Sequence, residues 1–280
     1  MGTQPTTRAR VDSCAVLANV DLGEGWYRLE IEAPHLAPLI AAGQFLQVRI
    51  GDGDDPLIRR PFSVYDLKPE PGPDAHQVDL LVQVVGPVTR TMAALRAGDP
   101  IDLLGPLGNP MPGPEVGDDG LLLLVGGGIG VAPLFLYCRE LAQTPGSPRH
   151  RVLLGARRRS LLIGEEGFVD LGVDTAVATD DGSRGHHGTV VDLLGQHLDG
   201  AAGVTVAGIG CGPHGMNVAL RDLAVSRQLP FWISLENYMP CGFGACFGCV
   251  IATPEGQPLR YRRVCVDGPT FRADDLPERF

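Results

Sequence analysis

Cysteine residues are the feature of this sequence whose type and spacing most directly indicate chemistry. The chain contains seven of them, and three, Cys241, Cys246 and Cys249, fall within one short stretch. Cys265 follows after residues 250–264. This order is the plant-type spacing of a [2Fe-2S] cluster, in which one loop supplies three thiolates and the fourth comes from elsewhere. Because an odd total also argues against a framework made only of disulfides, the four thiols are candidate metal ligands.

Small residues surround these cysteines. Gly242, Gly244, Ala245 and Gly248 allow the backbone to wrap closely and to point N–H groups at sulfur. Such donors stabilise negative charge and raise the reduction potential of a cluster. Two other interpretations stay open. One is a structural zinc site, although zinc ribbons usually supply their ligands as two separated pairs, and the other is four thiols without a metal.

A glycine-rich turn lies in the middle of the chain, between a predicted buried strand and a predicted helix. Residues 121–125 form a continuous apolar run, and residues 131–141 predict the helix. The glycines between them are Gly126, Gly127, Gly128 and Gly130. A strand, a glycine turn and a helix in this order present backbone N–H groups to a pyrophosphate. Since the spacing is not G-x-G-x-x-G, a turn needed only for packing is the alternative.

Further strands and helices alternate after this turn. Strands are predicted over 151–156, 173–179 and 203–209, and helices over 189–198 and 216–226. Such alternation predicts a doubly wound α/β unit, whose ligands collect at the carboxyl ends of the strands. Two turns follow strand ends there, Thr179-Asp180-Asp181-Gly182 and Cys211-Gly212-Pro213, and ordinary turns are the alternative for both. Arg157, Arg158 and Arg159 are suited either to the 2′-phosphate of NADP or to a solvated loop.

The first part of the chain has a different pattern. Strands predicted over 44–50, 62–65 and 78–85 are separated by glycine and proline clusters, which is typical of a small antiparallel barrel. Arg60-Pro61-Phe62-Ser63 lies among them. An arginine and a serine beside a rigid proline can bind a phosphate and hydrogen-bond a planar ring. A short helix predicted over 89–95 has an N-terminus suited to an anion.

Composition excludes several classes of function. A net charge of −10 disfavours binding to nucleic acid or to an anionic membrane, and 44% apolar residues are enough for a sizeable core. Residues 1–20 lack the apolar region of a secretory signal. The uncharged stretch 120–138 is interrupted by glycines and Pro133, which favours a strand, turn and helix over a membrane span. We therefore expect a cytoplasmic protein.

The order of these motifs resembles the ferredoxin–NADP reductase superfamily. More narrowly, it resembles the electron-transfer subunits of NAD-dependent (class 1B) dihydroorotate dehydrogenases. The stretch over residues 234–249, SLENYMPCGFGACFGC, is the most specific part of the resemblance, and residues 179–183 and 188–190 also match. It implies an N-terminal antiparallel flavin-binding barrel over 8–110, a doubly wound parallel-sheet nucleotide domain over 116–230 and a small C-terminal [2Fe-2S] module over 231–280.

The resemblance also implies roles for individual residues. The implied FAD contacts are Arg60, Pro61, Phe62, Ser63, Leu81, Val82, Gln83, Val88 and Thr89. The family has Gly-Thr where Val88 and Thr89 stand, so a Cβ is expected near the FAD phosphates, and arginine is commoner at the position of Gln83. The implied NAD contacts are Gly126, Gly127, Gly128, Gly130, Cys211, Gly212 and Pro213, with Cys211 near the nicotinamide. The implied cluster ligands are Cys241, Cys246, Cys249 and Cys265. Cys14 and Cys138 are interpreted as small buried apolar residues.

The implied function is an electron relay. A nicotinamide gives two electrons as a hydride and an iron–sulfur cluster takes one at a time, so a flavin belongs between them. The relay would join NAD(H), FAD, the [2Fe-2S] cluster and the FMN of a catalytic partner subunit that oxidises dihydroorotate in pyrimidine synthesis, two copies of each subunit forming a heterotetramer. No catalytic residue for the pyrimidine is expected in this chain. The alternatives are a subunit of another NAD(P)H-linked complex, of the bifurcating ferredoxin–NADP, sulfide or hydrogenase type, and a non-catalytic zinc or flavin module.

Overall fold

The structure is a computed structural model of the chain that describes residues 9–51, 58–113, 115–117, 119–201 and 203–280. The chain divides into two compact units. The barrel unit comprises Met1–Met111, Asn237–Val250 and Arg263–Pro269, and the sheet unit comprises Pro112–Glu236, Ile251–Arg262 and Thr270–Phe280. The segment 231–280 is thus shared between the two units. The domain boundaries 8–110, 116–230 and 231–280 stay predictions.

The barrel unit is built on six antiparallel strands that close in the order β1-β2-β5-β4-β3-β6. These are β1 (Arg10–Gly23), β2 (Trp26–Glu32), β3 (Phe45–Ile50), β4 (Arg60–Lys68), β5 (Gln77–Gln83) and β6 (Pro100–Leu107), with the helix α1 (Pro87–Ala93) between the last two. Inward side chains fill the interior, and Leu29, Ile31, Leu46, Leu80 and Leu103 each expose at most 1% of their surface. Closure leaves no open edge to the sheet, and the predicted barrel is confirmed.

Some element boundaries differ from those predicted. The helix predicted over 89–95 begins two residues earlier, because Pro87 occupies its first turn and Gly86 caps it in an extended conformation. Strand β4 is longer at both ends than the predicted 62–65, while β5 stops two residues before the predicted 85. Of the glycine and proline clusters that separate the predicted strands, the one at 51–56 lies mostly outside the described residues.

A buried carboxylate between β4 and β5 makes stability depend on pH. The Asp79 side chain is 1% exposed, with Lys68 Nζ at 3.1 Å and Gln77 Nε2 donating at 2.7 Å. Burial raises the pKa of Asp79 above its ordinary 3.8, and Gln77 and Lys68 oppose that rise. Without the Lys68 ammonium, the pKa of Asp79 in the folded chain rises further. The folded chain then binds the Asp79 proton more tightly than the unfolded chain does, so stability is lost as the pH rises above the pKa that Asp79 has in the unfolded chain.

We therefore expect Lys68→Met to lower the free energy of unfolding by about 1–3 kcal/mol at pH 7, because an ionised buried group loses its partner. The loss should shrink towards acid pH as Asp79 becomes protonated. Urea unfolding at pH 7 and pH 4.5 measures it, with Lys68→Arg as the control that retains the charge. An equal loss at both pH values would show that Asp79 is not the group involved.

The sheet unit contains a seven-stranded sheet in the order β10-β9-β8-β7-β11-β12-β15. In chain order the strands of this sheet and the helices between them are β7 (Leu121–Gly127), α2 (Val131–Gln143), β8 (Arg149–Ala156), α3 (Glu165–Asp170), β9 (Asp174–Thr179), β10 (His186–His187), α4 (Val190–Gly200), β11 (Val206–Cys211), α5 (His214–Ser226) and β12 (Phe231–Ser234). Three short elements follow, β13 (Val250–Ala252), β14 (Tyr261–Arg263) and α6 (Val264–Asp267), before the last strand of the sheet, β15 (Thr270–Arg272). Its strands pair in parallel except β15, which is antiparallel to β12. The predicted doubly wound architecture is confirmed.

The strand order explains the apolar run at 121–125. Strand β7 is paired along both edges, with β8 and β11, and helices α2 and α4 contact it, so Leu122 to Val125 are buried on both faces of the sheet. Strand β11 ends at Cys211 rather than at the predicted 209, so Cys211 is the last residue of the strand and not the first of the turn. Within the described part of the chain, no helix has both the length and the apolar character needed to cross a membrane.

Candidate functional site

The four cysteines predicted as ligands come together in the barrel unit, and we call them the cysteine cluster. Cys249 and Cys265 are buried, with their sulfur atoms 3.2 Å apart. Cys246 is exposed and Cys241 is half-buried. Backbone N–H groups point at these two sulfurs: Cys246 N–H donates to Cys241 Sγ at 3.4 Å, and Gly248 N–H donates to Cys246 Sγ at 3.3 Å. The cysteine cluster thus has a buried pair and a pair nearer the surface.

Glycine is required where the loop wraps around these thiols. Gly242 and Gly244 have φ values of +80° and +85°, which side-chain-bearing residues rarely adopt. A Cβ on Gly242 would lie 2.7 Å from Gln47 Cγ, and one on Gly248 would lie 2.9 Å from Pro240 Cδ. The loop is therefore a close-fitting cradle, as the sequence predicted from its glycines.

The surroundings of the thiols change their acidity. Burial raises the pKa of Cys241, but N–H groups of Cys246 and Phe243 outweigh it and lower the pKa to about 7. Burial, followed by the neighbouring Cys249, raises the pKa of Cys265 to about 12. Since the thiolate is the form that binds metal, Cys241 is better prepared for a metal than Cys265, and a cation in the cradle would be needed to ionise Cys265.

The arrangement of the thiols bears on the kind of metal centre. In the described ranges of the chain, no three or more Cys, His, Asp or Glu side chains gather around one metal position. A structural zinc ion needs four ligands around one point, whereas each iron of a [2Fe-2S] cluster takes two of four protein ligands. The contact between the Cys249 and Cys265 sulfurs, and the Cys246 N–H directed at Cys241 Sγ, group the four cysteines two and two, as the two irons of a [2Fe-2S] cluster require.

Two amide side chains that the sequence analysis did not single out contact the segments bearing these cysteines. Gln47 Nε2 donates to the carbonyl oxygen of Met239, and Asn109 Nδ2 donates to that of Val266 at 2.9 Å. In each case the partner is more than 150 residues away in sequence. No local spacing marks such a residue, so only the folded chain identifies them.

The residues predicted to contact FAD meet where two strands of the barrel separate. The β4–β5 ladder runs from Lys68↔Gln77 to Val64↔Leu80 and ends there. The segments 60–63 and 81–83 lie just beyond that end, on neighbouring strands, so the two groups of predicted residues lie near each other. The side chains of Leu81 and Val82 are buried in the barrel, and contact between their backbone and FAD stays a prediction.

The start of α1 follows directly after β5. The Thr89 hydroxyl accepts hydrogen bonds from the N–H groups of Val85, at 2.9 Å, and Gly86, at 3.1 Å. Thr89 therefore caps its own helix, with Val88 half-buried beside it. The effect of the Val88 Cβ on FAD phosphates stays a prediction. Arg60 is exposed, and its Nη1 donates to Ile58 O at 2.7 Å.

The residues predicted to bind NAD lie at the point where the strand order of the sheet reverses. The chain moves outward from β7 to β8 and β9, then returns to place β11 on the other side of β7. Gly126 and Cys211 are register partners there. A Cβ added to Gly130 would lie 2.6 Å from Gly212 N and closer still to the carbonyl of Cys211. The two predicted groups, 126–130 and 211–213, therefore lie together at the reversal, which is where doubly wound sheets form their ligand crevice, and NAD binding there stays a prediction.

Cys211 is fully enclosed at this position. Burial raises the pKa of its thiol, Glu236 raises it further, and the Ser234 hydroxyl opposes both. The thiol is therefore neutral at physiological pH and presents an uncharged, polarisable surface. Ser234 is the register partner of Cys211 on β12. In the sequence it is only the first residue of the family-like stretch 234–249, and nothing local links it to Cys211.

Two other predicted loops also meet at the carboxyl edge of the sheet. The N–H of Arg159 donates to the Ser183 hydroxyl at 2.8 Å, which joins the loop after β8 to the loop after β9. Arg157, Arg158 and Arg159 are all exposed. The turn at 179–182 is held by the Asp181 carboxylate, which accepts from the N–H of Ser183 at 3.0 Å.

Known proteins share both the sequence and the fold. A family model described as the iron-sulfur cluster binding domain of dihydroorotate dehydrogenase B matches residues 236–277. The electron transfer subunit of dihydroorotate dehydrogenase B (NAD(+)) from Desulforamulus reducens is 34% identical over 94% of this chain and 97% of its own length. The subunit of the same description from Shouchella clausii is 36% identical over 96% and 99%.

Solved structures agree with these relatives. The structure of an NADH-dependent reduced ferredoxin-NADP oxidoreductase, studied for flavin-based electron bifurcation, superimposes with a TM-score of 0.79 at 29% identity, covering 94% of this chain and 89% of that one. A ferredoxin NADP+ reductase from Neisseria gonorrhoeae has a TM-score of 0.62 at 18% identity over 77% and 91% of the two chains, and it shares the fold.

The barrel, the parallel sheet and the cysteine loop together define an oxidoreductase of the ferredoxin–NADP reductase fold with an added iron–sulfur domain. Within that class, identity of 34–36% along almost the whole of both chains decides the family. The chain belongs to the electron transfer subunits of dihydroorotate dehydrogenase B (NAD(+)), as the resemblance implied.

Proposed function

We propose that this chain carries electrons from the FMN of a dihydroorotate-oxidising partner subunit, through a [2Fe-2S] cluster and FAD, to NAD+. The step belongs to de novo pyrimidine synthesis. The observation that carries the proposal is the gathering of four thiols, in two pairs, within the unit that also contains the flavin-type barrel. Bound together, the three cofactors would convert a two-electron hydride into single electrons and back.

In this proposal the four thiols of the cysteine cluster are the ligands of the [2Fe-2S] cluster. Cys241 and Cys246 would hold one iron, and Cys249 and Cys265 the other, as their mutual approach suggests. N–H groups directed at Cys241 and Cys246 stabilise the negative charge that the ligands carry. Because Cys246 is exposed, the iron it holds would lie nearer the surface, where electrons can enter from a partner.

The FAD site in this proposal lies beside residues 60–63 and 81–83, just beyond the end of the β4–β5 ladder. Arg60 would neutralise phosphate charge, and the start of α1, which Thr89 caps, would place backbone N–H groups near the phosphates. Ser63 and the backbone of Leu81, Val82 and Gln83 would hydrogen-bond the ring. Pro61 and Phe62 would hold the backbone of β4 in position beside the flavin, and the Val88 side chain would reduce the space for the FAD phosphates.

The NAD site in this proposal is the crevice between β7 and β11. Gly126, Gly127, Gly128 and Gly130 would bring backbone N–H groups to the pyrophosphate. Cys211, Gly212 and Pro213 would border the nicotinamide, where the neutral thiol excludes water without adding charge. The chain would supply no catalytic acid or base, since hydride transfer needs only orientation of the two rings.

The partner in this proposal is an FMN-containing dihydroorotate dehydrogenase catalytic subunit, assembled as two of each chain. The relatives are named as electron transfer subunits, which supports a separate catalytic chain. The proposal includes neither nucleic acid nor a membrane as a partner, because the net charge of −10 disfavours both. All seven cysteines are thiols, which suits a cytoplasmic location because disulfides are rare there.

An anaerobic visible spectrum tests the proposal. The purified chain should show flavin and iron–sulfur absorbance, and NADH should bleach both. With the catalytic subunit added, dihydroorotate should reduce NAD+. A colourless chain that contains zinc would instead support a structural module and would contradict the proposal.

A second candidate is a subunit of an electron-bifurcating complex, which the likeness to the NADH-dependent reduced ferredoxin-NADP oxidoreductase favours. The exposed arginines 157–159 also suit the 2′-phosphate of NADP. The choice rests on the electron donor. Reduction of the chain by reduced ferredoxin, with marked preference for NADPH over NADH, would favour this candidate over the dihydroorotate relay.

Replacing Arg60 should weaken FAD binding. A charge-assisted hydrogen bond contributes about 1.5–3 kcal/mol, so Arg60→Ala should raise the dissociation constant for FAD by at least about tenfold. Fluorescence titration of the flavin-depleted chain measures it. Arg10→Ala, which removes an exposed arginine elsewhere on the barrel, is the matched control and should bind FAD normally. Equal affinities for the two variants would remove Arg60 from the site.

A further inference from the structure

The two segments that carry the cysteine cluster are each attached to the barrel by one amide side chain. Gln47, in β3, is fully buried and its Nε2 donates to the carbonyl of Met239, two residues before Cys241. Asn109, which follows β6, donates through Nδ2 to the carbonyls of Val266, at 2.9 Å, and Gly268, at 3.1 Å. Val266 is the residue after Cys265.

The backbone places these amides next to the flavin motif. In the β3–β4 ladder, Gln47 is the register partner of Pro61, and Phe45 is that of Ser63. Gln47 also packs beneath the cradle, where its Cγ and Nε2 occupy the space that a Cβ on Gly242 would need. Strand β3 therefore pairs with the strand of the proposed FAD site and, through the Gln47 side chain, contacts the loop that bears Cys241.

Gln47 does more than fill space. Its Oε1 is buried and has no hydrogen-bond partner among the described residues, whereas its Nε2 donates to the Met239 carbonyl. Replacing the Gln47 amide with an apolar group would leave the carbonyl of Met239, a buried residue, without its donor, which costs free energy. The donated bond is thus the contribution that distinguishes glutamine from an apolar residue of equal length.

We propose that Gln47 and Asn109 are positioning residues that hold the cysteine cluster at a fixed place on the flavin-binding barrel and thereby set the rate at which reduced flavin gives single electrons to the cluster. This inference rests on the proposed function. Neither side chain is a ligand, and both act through backbone carbonyls beside the ligands. Outer-shell partners of this kind typically contribute about 10- to 100-fold to metal affinity or activity.

Gln44 provides a matched control. It is buried at 3% exposure and makes the same kind of bond, from Nε2 to the Gly108 carbonyl at 3.0 Å. Its Oε1 accepts from Ala41 N–H at 3.0 Å. These partners belong to the barrel's own loops, so Gln44→Met removes a comparable bond one residue before Asn109 while leaving the Asn109 side chain and its bonds to the cysteine-bearing segment in place.

The test compares Gln47→Met, Asn109→Ala and Gln44→Met in the whole chain, purified anaerobically. Iron and FAD contents are measured first, followed by the electron paramagnetic resonance spectrum of the dithionite-reduced cluster. Stopped-flow absorbance then follows reduction of flavin and cluster by NADH. For the first two variants we expect normal flavin reduction, cluster reduction slowed about tenfold and a changed resonance spectrum. Gln44→Met should match the natural chain in all three measurements.

The outcomes separate this inference from the function on which it rests. If NADH fails to reduce the cluster of the natural chain, the proposed function fails, while the dithionite spectra still compare the positions of the cluster. If Gln47→Met and Asn109→Ala both match Gln44→Met in rate and spectrum, the positioning role is overturned. Loss of iron from both variants, with iron retained in Gln44→Met, supports it, because the cradle then depends on these two amides.

Discussion

Cys246→Ser is expected to abolish dihydroorotate-dependent reduction of NAD+ by the assembled complex while leaving FAD bound. Cys246 is the exposed member of the cysteine cluster and accepts the N–H of Gly248. A serine hydroxyl is a poor substitute for a thiolate ligand of iron. Loss of a direct ligand should exceed the about 100-fold that outer-shell partners reach. The assay is NADH formation from dihydroorotate, with iron content measured in parallel.

The same variant separates the two halves of the proposed relay. Transfer of hydride from NADH to flavin does not pass through the cluster, so reduction of an artificial two-electron acceptor by NADH should be retained. Cys14→Ser is the control: this buried thiol in β1 lies outside the cysteine loop, and burial raises its pKa to about 12. Full dihydroorotate activity in Cys246→Ser would mean that electrons do not travel through the cluster.

Gly130→Ala is expected to weaken NAD(H) binding. The new methyl would lie 2.6 Å from Gly212 N and would collide with the Cys211 carbonyl, and neither backbone atom can rotate away as a side chain can. Overpacking of this kind costs about 1–3 kcal/mol. If the nucleotide-binding conformation bears that cost, the affinity falls by about 5- to 150-fold.

Steady-state kinetics with NADH and an artificial acceptor measures this effect, which should appear mainly in KM. Gly215→Ala is the matched control, since Gly215 lies three residues beyond Gly212, in α5, with open space around its Cα. Alanine is favoured over glycine in a helix, so this control should keep its KM and gain slightly in stability. Similar KM values for both variants would remove the Gly130 contact from the NAD site.

The hydrophobic pattern predicted much of the fold. The apolar run at 121–125 indicated a strand covered on both faces, and β7 is central in the sheet. Boundaries were less accurate where a cap decides them. The start of α1 at Pro87 depends on Gly86 adopting an extended cap, while α4 begins after Thr189, whose hydroxyl accepts from Asp192 N–H at 3.1 Å. Such local bonds shift an end by one or two residues without changing the element.

The sequence by itself determined which residues are suited to chemistry, because that information is local. The spacing of Cys241, Cys246 and Cys249 along one loop, with glycines between them, specifies a cradle for metal ligands whatever the rest of the chain does. The glycines at 126–130 likewise specify a turn of close backbone approach. Chemistry of this kind is encoded in residue type and short separation.

Only the tertiary structure decided which distant segments meet. Gly130 must be glycine because Cys211 and Gly212, at the end of another strand, come against it. Gln47 reaches Met239 because closure of the barrel and the path of the C-terminal segment bring them together across 192 residues of sequence. Contacts of this range depend on strand order, register and closure acting together, and no window of the sequence contains all three.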